Sequence, residues 1–290
     1  MCRLFGFRSV LRSQVHRSLM SADNALGVQS EYHPDGWGVA YYVGSAPHLI
    51  RGDGQAQRDR LFQRVSGIVS SETVVAHVRR ATQGVCSPLN SHPFQHGQWI
   101  FAHNGNIAGF AELRPRIEAM VHPSLRPWVL GDTDSELFFY LLLTRLAERI
   151  DLHASDFAPL AAADALLHTI DDICALTGGY STNTNGSPDD TYLTCILTNG
   201  SVMLAHQGGK ELYYSTHKAQ CPERATCAAF GGSCERSSGF GERVNHLLIS
   251  SEPLQGENVW QTMAPGQIVA VDRGMTLQQF GAWSLNAAMI

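Results

Sequence analysis

An α+β fold is predicted for this chain by the order of its apolar segments. Short apolar or alternating stretches come first, two helical stretches follow, and more strand-like stretches come after them. This order differs from the regular strand–helix alternation of doubly wound nucleotide-binding folds. The 290 residues have 44% hydrophobic content and no evident internal repeat, so we predict one domain over residues 2–290.

Seven segments are predicted as strands because apolar residues alternate or run continuously between turn-forming residues. In chain order they are residues 37–43, 73–78, 98–102, 191–198, 201–206, 246–250 and 267–271. Residues 133–150 have a long apolar face that includes Leu137, Leu141 and Leu146, and residues 157–176 are rich in alanine and leucine. Both of these stretches are predicted as helices.

The composition argues against two classes of partner. The net charge is −5, the only lysines are Lys210 and Lys218, and the arginines are scattered along the chain. Because phosphate binding needs clustered positive charge, we expect no nucleic-acid partner. No apolar run approaches the ~20 residues that cross a bilayer, and residues 1–9 lack the organisation of a signal peptide. We therefore expect no membrane association and a cytoplasmic location.

The cysteines favour reduced thiols over a disulfide framework, because there are seven of them at irregular spacing. Three of them come close together, at Cys221, Cys227 and Cys234, with His217 and His246 on either side. Their spacing does not match the short paired spacing of common zinc sites. We predict an ordinary cysteine-containing loop, no metal and no cofactor.

Cys2 is the most informative single residue. If Met1 is removed, Cys2 carries a thiol and a free α-amine, which titrate near ~8.5 and ~7.7–8 respectively. The amine is then partly uncharged at neutral pH and can accept the thiol proton, so one residue supplies both nucleophile and base. The alternative is a small residue that happens to follow Met1.

Residues 76–84 place Arg79, Arg80 and Thr82 just after an apolar strand. Arginine offers a rigid fork of donors that can hold a carboxylate at two points, and Thr82 can add a hydroxyl. This segment therefore indicates a carboxylate-binding site. The alternative is a pair of solvated arginines.

Residues 101–107 bring His103, Asn104 and Gly105 together after another predicted strand. Asparagine followed by glycine is typical of a hairpin turn. In the functional interpretation, the Asn104 amide and the Gly105 N–H form an oxyanion hole. Removing one such donor typically raises the activation barrier by ~2.7–4 kcal/mol. We include the adjacent His103 among the candidate substrate-binding residues.

Residues 131–136 open the first predicted helix, with Thr133 and Glu136 at the spacing of a capping box. Asp134 then lies in the first turn, where the helix dipole favours a carboxylate. The functional interpretation is that Asp134 binds a substrate ammonium group.

The candidate groups fit one type of reaction when they are taken together. They comprise a nucleophile, a carboxylate-binding site, two oxyanion donors and an acceptor for an ammonium group. This set suits attack on an amide whose other end is a free amino acid, such as a γ-glutamyl amide.

The motifs, in this order, resemble those of the class II glutamine amidotransferases, a branch of the N-terminal nucleophile hydrolases. The motifs that carry the resemblance are Cys2–Arg3–Leu4–Phe5–Gly6, Asp35–Gly36–Trp37–Gly38, Arg79 with Ala81–Thr82, Ser91–His92–Pro93, His103–Asn104–Gly105, Thr133–Asp134–Ser135–Glu136 and Ser251–Glu252–Pro253–Leu254. Several motifs in a fixed order are far more specific than any one of them.

The resemblance implies a role for each matched residue. Cys2 is the nucleophile, Arg79 binds the α-carboxylate of the glutamyl group, Asp134 binds its α-ammonium, and Asn104 with Gly105 forms the oxyanion hole. It also implies a four-layer αββα sandwich of two antiparallel sheets, with residues 2–290 as one domain of this type. Arg80 and Gln83 replace a tryptophan and a histidine that are often seen in synthase-linked members, a change that bears on the leaving group.

The chain most resembles the stand-alone branch, which contains γ-glutamyl hydrolases and subunits that need a partner. We predict hydrolysis of a γ-glutamyl amide through a Cys2 thioester that releases glutamate. The alternatives are a glutaminase subunit that delivers ammonia to a separate synthase, and a non-catalytic sensor of a glutamyl metabolite. A partner synthase or peptidase subunit fits the first alternative. We expect residues 45–57 and 231–241 to be loops that set specificity.

Overall fold

The computed structural model describes residues 2–281, which form two antiparallel β-sheets. Thirteen strands are present in this part of the chain: β1 (Arg3–Gln14), β2 (Trp37–Val43), β3 (Ala46–Gly52), β4 (Ser70–Val78), β5 (Phe94–His96), β6 (Trp99–Asn106), β7 (Tyr192–Thr198), β8 (Met203–His206), β9 (Tyr213–Ser215), β10 (His246–Ser250), β11 (Gln261–Thr262), β12 (Ile268–Val271) and β13 (Leu277–Phe280). The first sheet has the order β11-β9-β10-β1-β4-β2-β3, and the second has the order β13-β12-β8-β7-β6-β5.

Five α-helices accompany the sheets in the described residues: α1 (Leu26–Gln29), α2 (Arg60–Ile68), α3 (Phe110–Met120), α4 (Asp134–Ala147) and α5 (Pro159–Thr177). The two predicted helices correspond to α4 and α5. Helix α5 begins with a proline and is followed by Gly178 in the left-handed conformation, as expected for its two ends. No helix within residues 2–281 combines the length and apolar character that crossing a bilayer requires.

Alternation along the strands creates the layers. Leu4 of β1 and Ala102 of β6 point into a buried cluster between the sheets. Phe5 points to the opposite side, where it shares a cluster with Phe62 of α2. Phe101 likewise points away from the other sheet, toward α4 and α5. The result is the four-layer αββα sandwich, which confirms the predicted α+β class.

One expected loop proved to contain a strand, and six strands, including β1, were not predicted. Residues 45–57, expected to be a specificity loop, contain strand β3, which pairs with β2 along its whole length. Strand β1 was not predicted, although it is the longest strand of the described residues. It lies between β10 and β4, and all of its residues from Leu4 to Ser9 are buried, so this part lacks the polar alternation of a half-exposed strand.

Candidate active site

Cys2 directly precedes β1 and therefore lies at one end of an inner strand of the seven-stranded sheet. The segment after β10 holds this end of the strand in place. The Leu4 N–H donates to Ser251 Oγ at 2.8 Å, and the Ser251 N–H donates to the Leu4 carbonyl at 3.1 Å. The motif that begins at Ser251 thus fixes the backbone two residues from Cys2.

The Cys2 thiol is buried and lies over the first residues that follow β4. Its Sγ is 3.4 Å from both the backbone nitrogen and the carbonyl oxygen of Arg80. Burial raises the pKa of the Cys2 thiol, whereas the Arg80 N–H and the charge of Arg79 lower it and Asp134 raises it. The thiol thus lies against the backbone of the residue that follows Arg79.

The Arg79 guanidinium is buried inside the loop that follows β4. It donates to the carbonyl oxygens of Gln83 at 2.6 Å and Val85 at 3.0 Å. The same loop is fixed from outside by Asp35, whose carboxylate accepts the Ala81 N–H at 2.9 Å. Within residues 2–281 the guanidinium forms no ion pair with a carboxylate. Its charge is thus oriented by carbonyl groups without being neutralised.

Asn104 and Gly105 lie inside strand β6, so the hairpin-turn interpretation of this pair was wrong. They pair with Thr194 and Leu193 of β7. The Leu193 N–H points away from β6 and donates to the Gly208 carbonyl, so the Gly105 N–H points away from β7. On that side of β6, strand β5 pairs only with Trp99–Phe101 and does not reach Gly105. The Asn104 Oδ1 is buried without a hydrogen-bond partner among the described residues.

The His103 ring lies on the other face of β6 from the Asn104 side chain, because neighbouring strand residues point to opposite faces. Its Nε2 is 2.8 Å from the Tyr192 carbonyl oxygen, and its Nδ1 is 2.8 Å from Ser135 Oγ. Burial lowers the pKa of His103, and Asp134 opposes this effect. Both ring nitrogens are thus engaged by protein groups.

Asp134 is the first residue of α4, and Thr133 caps the helix by accepting the Glu136 N–H. The Glu136 carboxylate does not complete the predicted capping box at Thr133, because it accepts the Leu130 and Gly131 N–H groups instead. The Asp134 Oδ2 accepts the Ile107 N–H at 2.8 Å, which ties the start of α4 to the end of β6. This bond brings the carboxylate next to the strand that carries Asn104 and Gly105.

The remaining predicted residue, Thr82, lies on the exposed part of the loop that surrounds Arg79. Sequence reasoning missed Gln83 as a loop anchor: its side-chain amide donates to Asn106 Oδ1 at 3.2 Å and joins this loop to β6. It also missed Asn90, which donates to the Val85 carbonyl at 3.0 Å and accepts the Asp132 N–H at 3.1 Å. The position of Asn90 just before the Ser91–His92–Pro93 motif was the available signal.

The expected specificity loop at residues 231–241 and the nearby cysteines lie away from Cys2. Residues 231–241 belong to the connection that enters β10 at His246, the opposite end of that strand from Ser251. All seven cysteines are free thiols, and Cys234 Sγ accepts from the Asn245 side chain at 2.9 Å. Within residues 2–281, no three histidine, cysteine or acidic side chains are arranged to hold a metal ion.

Two antiparallel sheets face each other between helices, and a cysteine lies at the start of an inner strand, the arrangement that the resemblance to the N-terminal nucleophile hydrolases implies. The sequence identifies the family within that fold. Residues 1–287 match the class-II glutamine amidotransferases, and the chain belongs to this family. It is therefore an enzyme of the glutamine amidotransferase and amidohydrolase type.

Individual relatives agree with this assignment. The chain is 28% identical over 260 residues to the probable glutamine amidotransferase DUG3 of Saccharomyces cerevisiae, covering 84% of this chain and 70% of the yeast protein. It is 32% identical over 119 residues to a gamma-glutamyl-hercynylcysteine sulfoxide hydrolase of Mycobacterium tuberculosis, covering 37% of this chain and 50% of that protein. A glutamine aminotransferase class-II domain protein of Silicibacter pomeroyi has the same fold, with a TM-score of 0.62, 20% identity and coverage of 97% and 99%.

Proposed function

We propose that this protein hydrolyses a γ-glutamyl amide through a thioester on Cys2 and releases glutamate. One observation carries the proposal. Cys2, Arg79 and Asp134 come from three distant parts of the chain, yet the Cys2 thiol contacts the backbone of Arg80, directly after Arg79, and Asp134 is bonded to the end of the strand that carries Asn104 and Gly105. A nucleophile in one site with an oriented cation and a carboxylate suits a substrate with an α-carboxylate and an α-ammonium at one end.

The chemistry begins after removal of Met1. The Cys2 α-amine accepts the thiol proton, and Sγ attacks the δ-carbonyl carbon to form a C–S bond. The C–N bond then breaks, and the leaving amine takes up the proton. Water attacks the thioester, the C–S bond breaks, and glutamate leaves with the thiol restored. The acceptor is thus water in this proposal.

The Asn104 amide and the Gly105 N–H stabilise the oxyanion that forms in each attack. The Gly105 N–H points away from β7 and is not used in the pairing of β6 with β7, which supports this role. Arg79 binds the α-carboxylate and Asp134 the α-ammonium, while Thr82 lines the loop above them. A cytoplasmic location fits the seven free thiols.

The direct test is intact-mass spectrometry before and after exposure to a glutamine analogue that carries a diazoketone in place of the side-chain amide. We expect loss of Met1 and one adduct, which disappears in Cys2→Ser. Cys86→Ser is the matched control, because Cys86 is an exposed free thiol and its loss should leave the adduct unchanged. An adduct that survives Cys2→Ser would refute the assignment of the nucleophile.

Glutamate release from a panel of γ-glutamyl amides then separates the hydrolase from its alternatives. Steady turnover by the isolated protein supports hydrolysis. Glutaminase activity that rises sharply only when a synthase or peptidase subunit is added would replace the proposal with a partner-dependent subunit. Binding of glutamyl compounds with neither adduct nor turnover would indicate a sensor.

A further inference from the structure

The His103 ring connects two parts of the site that are distant in sequence. On one side its Nε2 is 2.8 Å from the Tyr192 carbonyl oxygen of β7. On the other side its Nδ1 is 2.8 Å from Ser135 Oγ in the first turn of α4. The Phe138 ring packs edge-on against it with centroids 5.2 Å apart, so the ring is held on three sides. The imidazole therefore fixes the start of α4 relative to the second sheet.

The hydrogen positions follow from the chemistry of these partners. A carbonyl oxygen only accepts, so Nε2 carries the hydrogen that it donates to Tyr192. In the neutral ring Nδ1 is then an acceptor, and the Ser135 hydroxyl donates to it. The same hydroxyl lies 3.1 Å from Asp134 Oδ1, and because it has a single hydrogen, donation to His103 Nδ1 excludes donation to this carboxylate oxygen.

This arrangement leaves Asp134 with acceptor capacity. Its Oδ1 accepts the Ser135 N–H at 2.7 Å and its Oδ2 accepts the Ile107 N–H at 2.8 Å. Each carboxylate oxygen can accept about two hydrogen bonds, so each has one site remaining. Without His103, the Ser135 hydroxyl is free to donate to Asp134 and occupy one of those sites.

The same ring is also in contact with the strand that carries the oxyanion donors. A Cβ atom at Gly105 would collide with His103 Nε2 and the Tyr192 carbonyl oxygen, so the ring lies directly against Gly105. One side chain thus sets the position of the Asp134 carboxylate relative to the Gly105 backbone. In the proposed reaction these two groups hold opposite ends of the same glutamyl chain.

We propose that His103 and Ser135 are positioning residues that orient Asp134 and thereby give the enzyme its selectivity for substrates with a free α-ammonium group. The inference rests on the proposed function and adds a specificity role for two residues that do not touch the substrate. It also replaces the expectation that His103 binds the substrate directly.

The test compares how fast Cys2 is labelled by the diazoketone glutamine analogue and by its counterpart without the α-amino group. Labelling needs no knowledge of the natural leaving group. We expect the rate ratio to fall on the order of tenfold in His103→Asn, which frees the Ser135 hydroxyl to donate to Asp134, and in Ser135→Ala, which breaks the link between the imidazole and the start of α4. Both ratios should move toward the value in Asp134→Asn. Ser135→Ala removes a single oxygen, so it serves as the mild variant if His103→Asn folds poorly.

His206→Asn is the matched control, because His206 is also buried in the second sheet and bonds a backbone carbonyl, that of Leu193, at 3.0 Å. We expect it to leave the ratio unchanged. If both labelling rates fall equally in the His103 and Ser135 variants, their role is structural and the inference is wrong. An unchanged ratio also overturns it. A wild-type protein that neither probe labels refutes the proposed function itself.

Discussion

The His103 ring occupies the space that a Cβ atom at Gly105 would need. The two residues lie two positions apart on the same face of β6, and the hydrogen bond from His103 to the Tyr192 carbonyl passes over the glycine. A glycine is therefore required here by close approach of neighbouring atoms. It allows the strand that supplies the Gly105 N–H to pack directly against the side chain that supports α4.

Gly105→Ala is expected to damage both stability and activity. The added methyl group must displace a buried hydrogen bond, which we expect to cost ~1–3 kcal/mol of unfolding free energy. Movement of the strand should also lower the rate of Cys2 acylation by ~10²-fold or more, the typical effect of losing an oxyanion donor. Urea unfolding and single-turnover kinetics measure the two effects. Gly67→Ala in α2 is the control, because an added Cβ there meets open space. It should lower neither the unfolding free energy nor the acylation rate.

Arg79→Ala is expected to weaken substrate capture more than chemistry. Loss of a charged hydrogen-bonding partner for the α-carboxylate should cost ~1.5–3 kcal/mol in kcat/KM, mainly through KM. Steady-state kinetics with a γ-glutamyl amide measures this. Arg116→Ala, at an exposed position of α3, controls for the loss of one positive charge. An unchanged kcat/KM in Arg79→Ala would remove this residue from the site.

Ser251→Ala tests how the nucleophile is held. The variant leaves the buried Leu4 N–H without its side-chain acceptor, which should destabilise the protein by ~1–3 kcal/mol. Because Leu4 is two residues from Cys2, we expect kcat to fall while KM changes little. Ser237→Ala, at an exposed position, is the control. Wild-type stability and kcat in Ser251→Ala would show that the hydrogen bond does not support Cys2.

Acid should destabilise the protein through His77 and His92, two buried residues whose ring centroids lie 4.3 Å apart at an interplanar angle of 37°. Burial lowers the pKa of each well below its usual value. The unfolded chain therefore binds more protons as the pH falls below ~6.5, and the unfolding free energy declines by up to ~1.4 kcal/mol per pH unit for each ring. The loss continues down to the folded-state pKa values.

His92→Gln should make this decline shallower by about one proton. Urea unfolding at several pH values between neutral and mildly acidic conditions gives the slope for each variant. A His92→Gln slope equal to the wild-type slope would contradict the prediction.

The site residues were predicted from motifs that combine reactive groups with a recognisable position in the chain, and their roles stay predictions. Cys2, Arg79 and Asp134 were chosen for their chemistry; in the structure the Cys2 thiol contacts the backbone of Arg80, and Asp134 bonds the Ile107 N–H at the end of β6. The positions of Gln83, Ser135 and Tyr192 could not be derived in this way. Their importance lies in contacts between segments far apart in sequence, such as the bond from Gln83 to Asn106.

Local pattern predicted seven of the thirteen strands and two of the five α-helices in residues 2–281, and its errors have a physical cause. Strand β2 and helix α4 were predicted within a few residues of their bounds, since each has a clear periodicity or cap. Strand β1 was missed because much of it is buried on both faces, and Asn104–Gly105 was open to a turn interpretation because nothing local reveals that β6 continues through it.

The amino-acid sequence by itself determined the fold class, the family and the chemical groups available, because these depend on periodicity and on motifs that are contiguous in the chain. Only the tertiary structure decided which face of β6 each residue occupies and which side chains hold others in place. His103 and Asn104 are neighbours in sequence, yet strand geometry turns one toward α4 and the other toward the first sheet. That division follows from packing between elements, which no local pattern encodes.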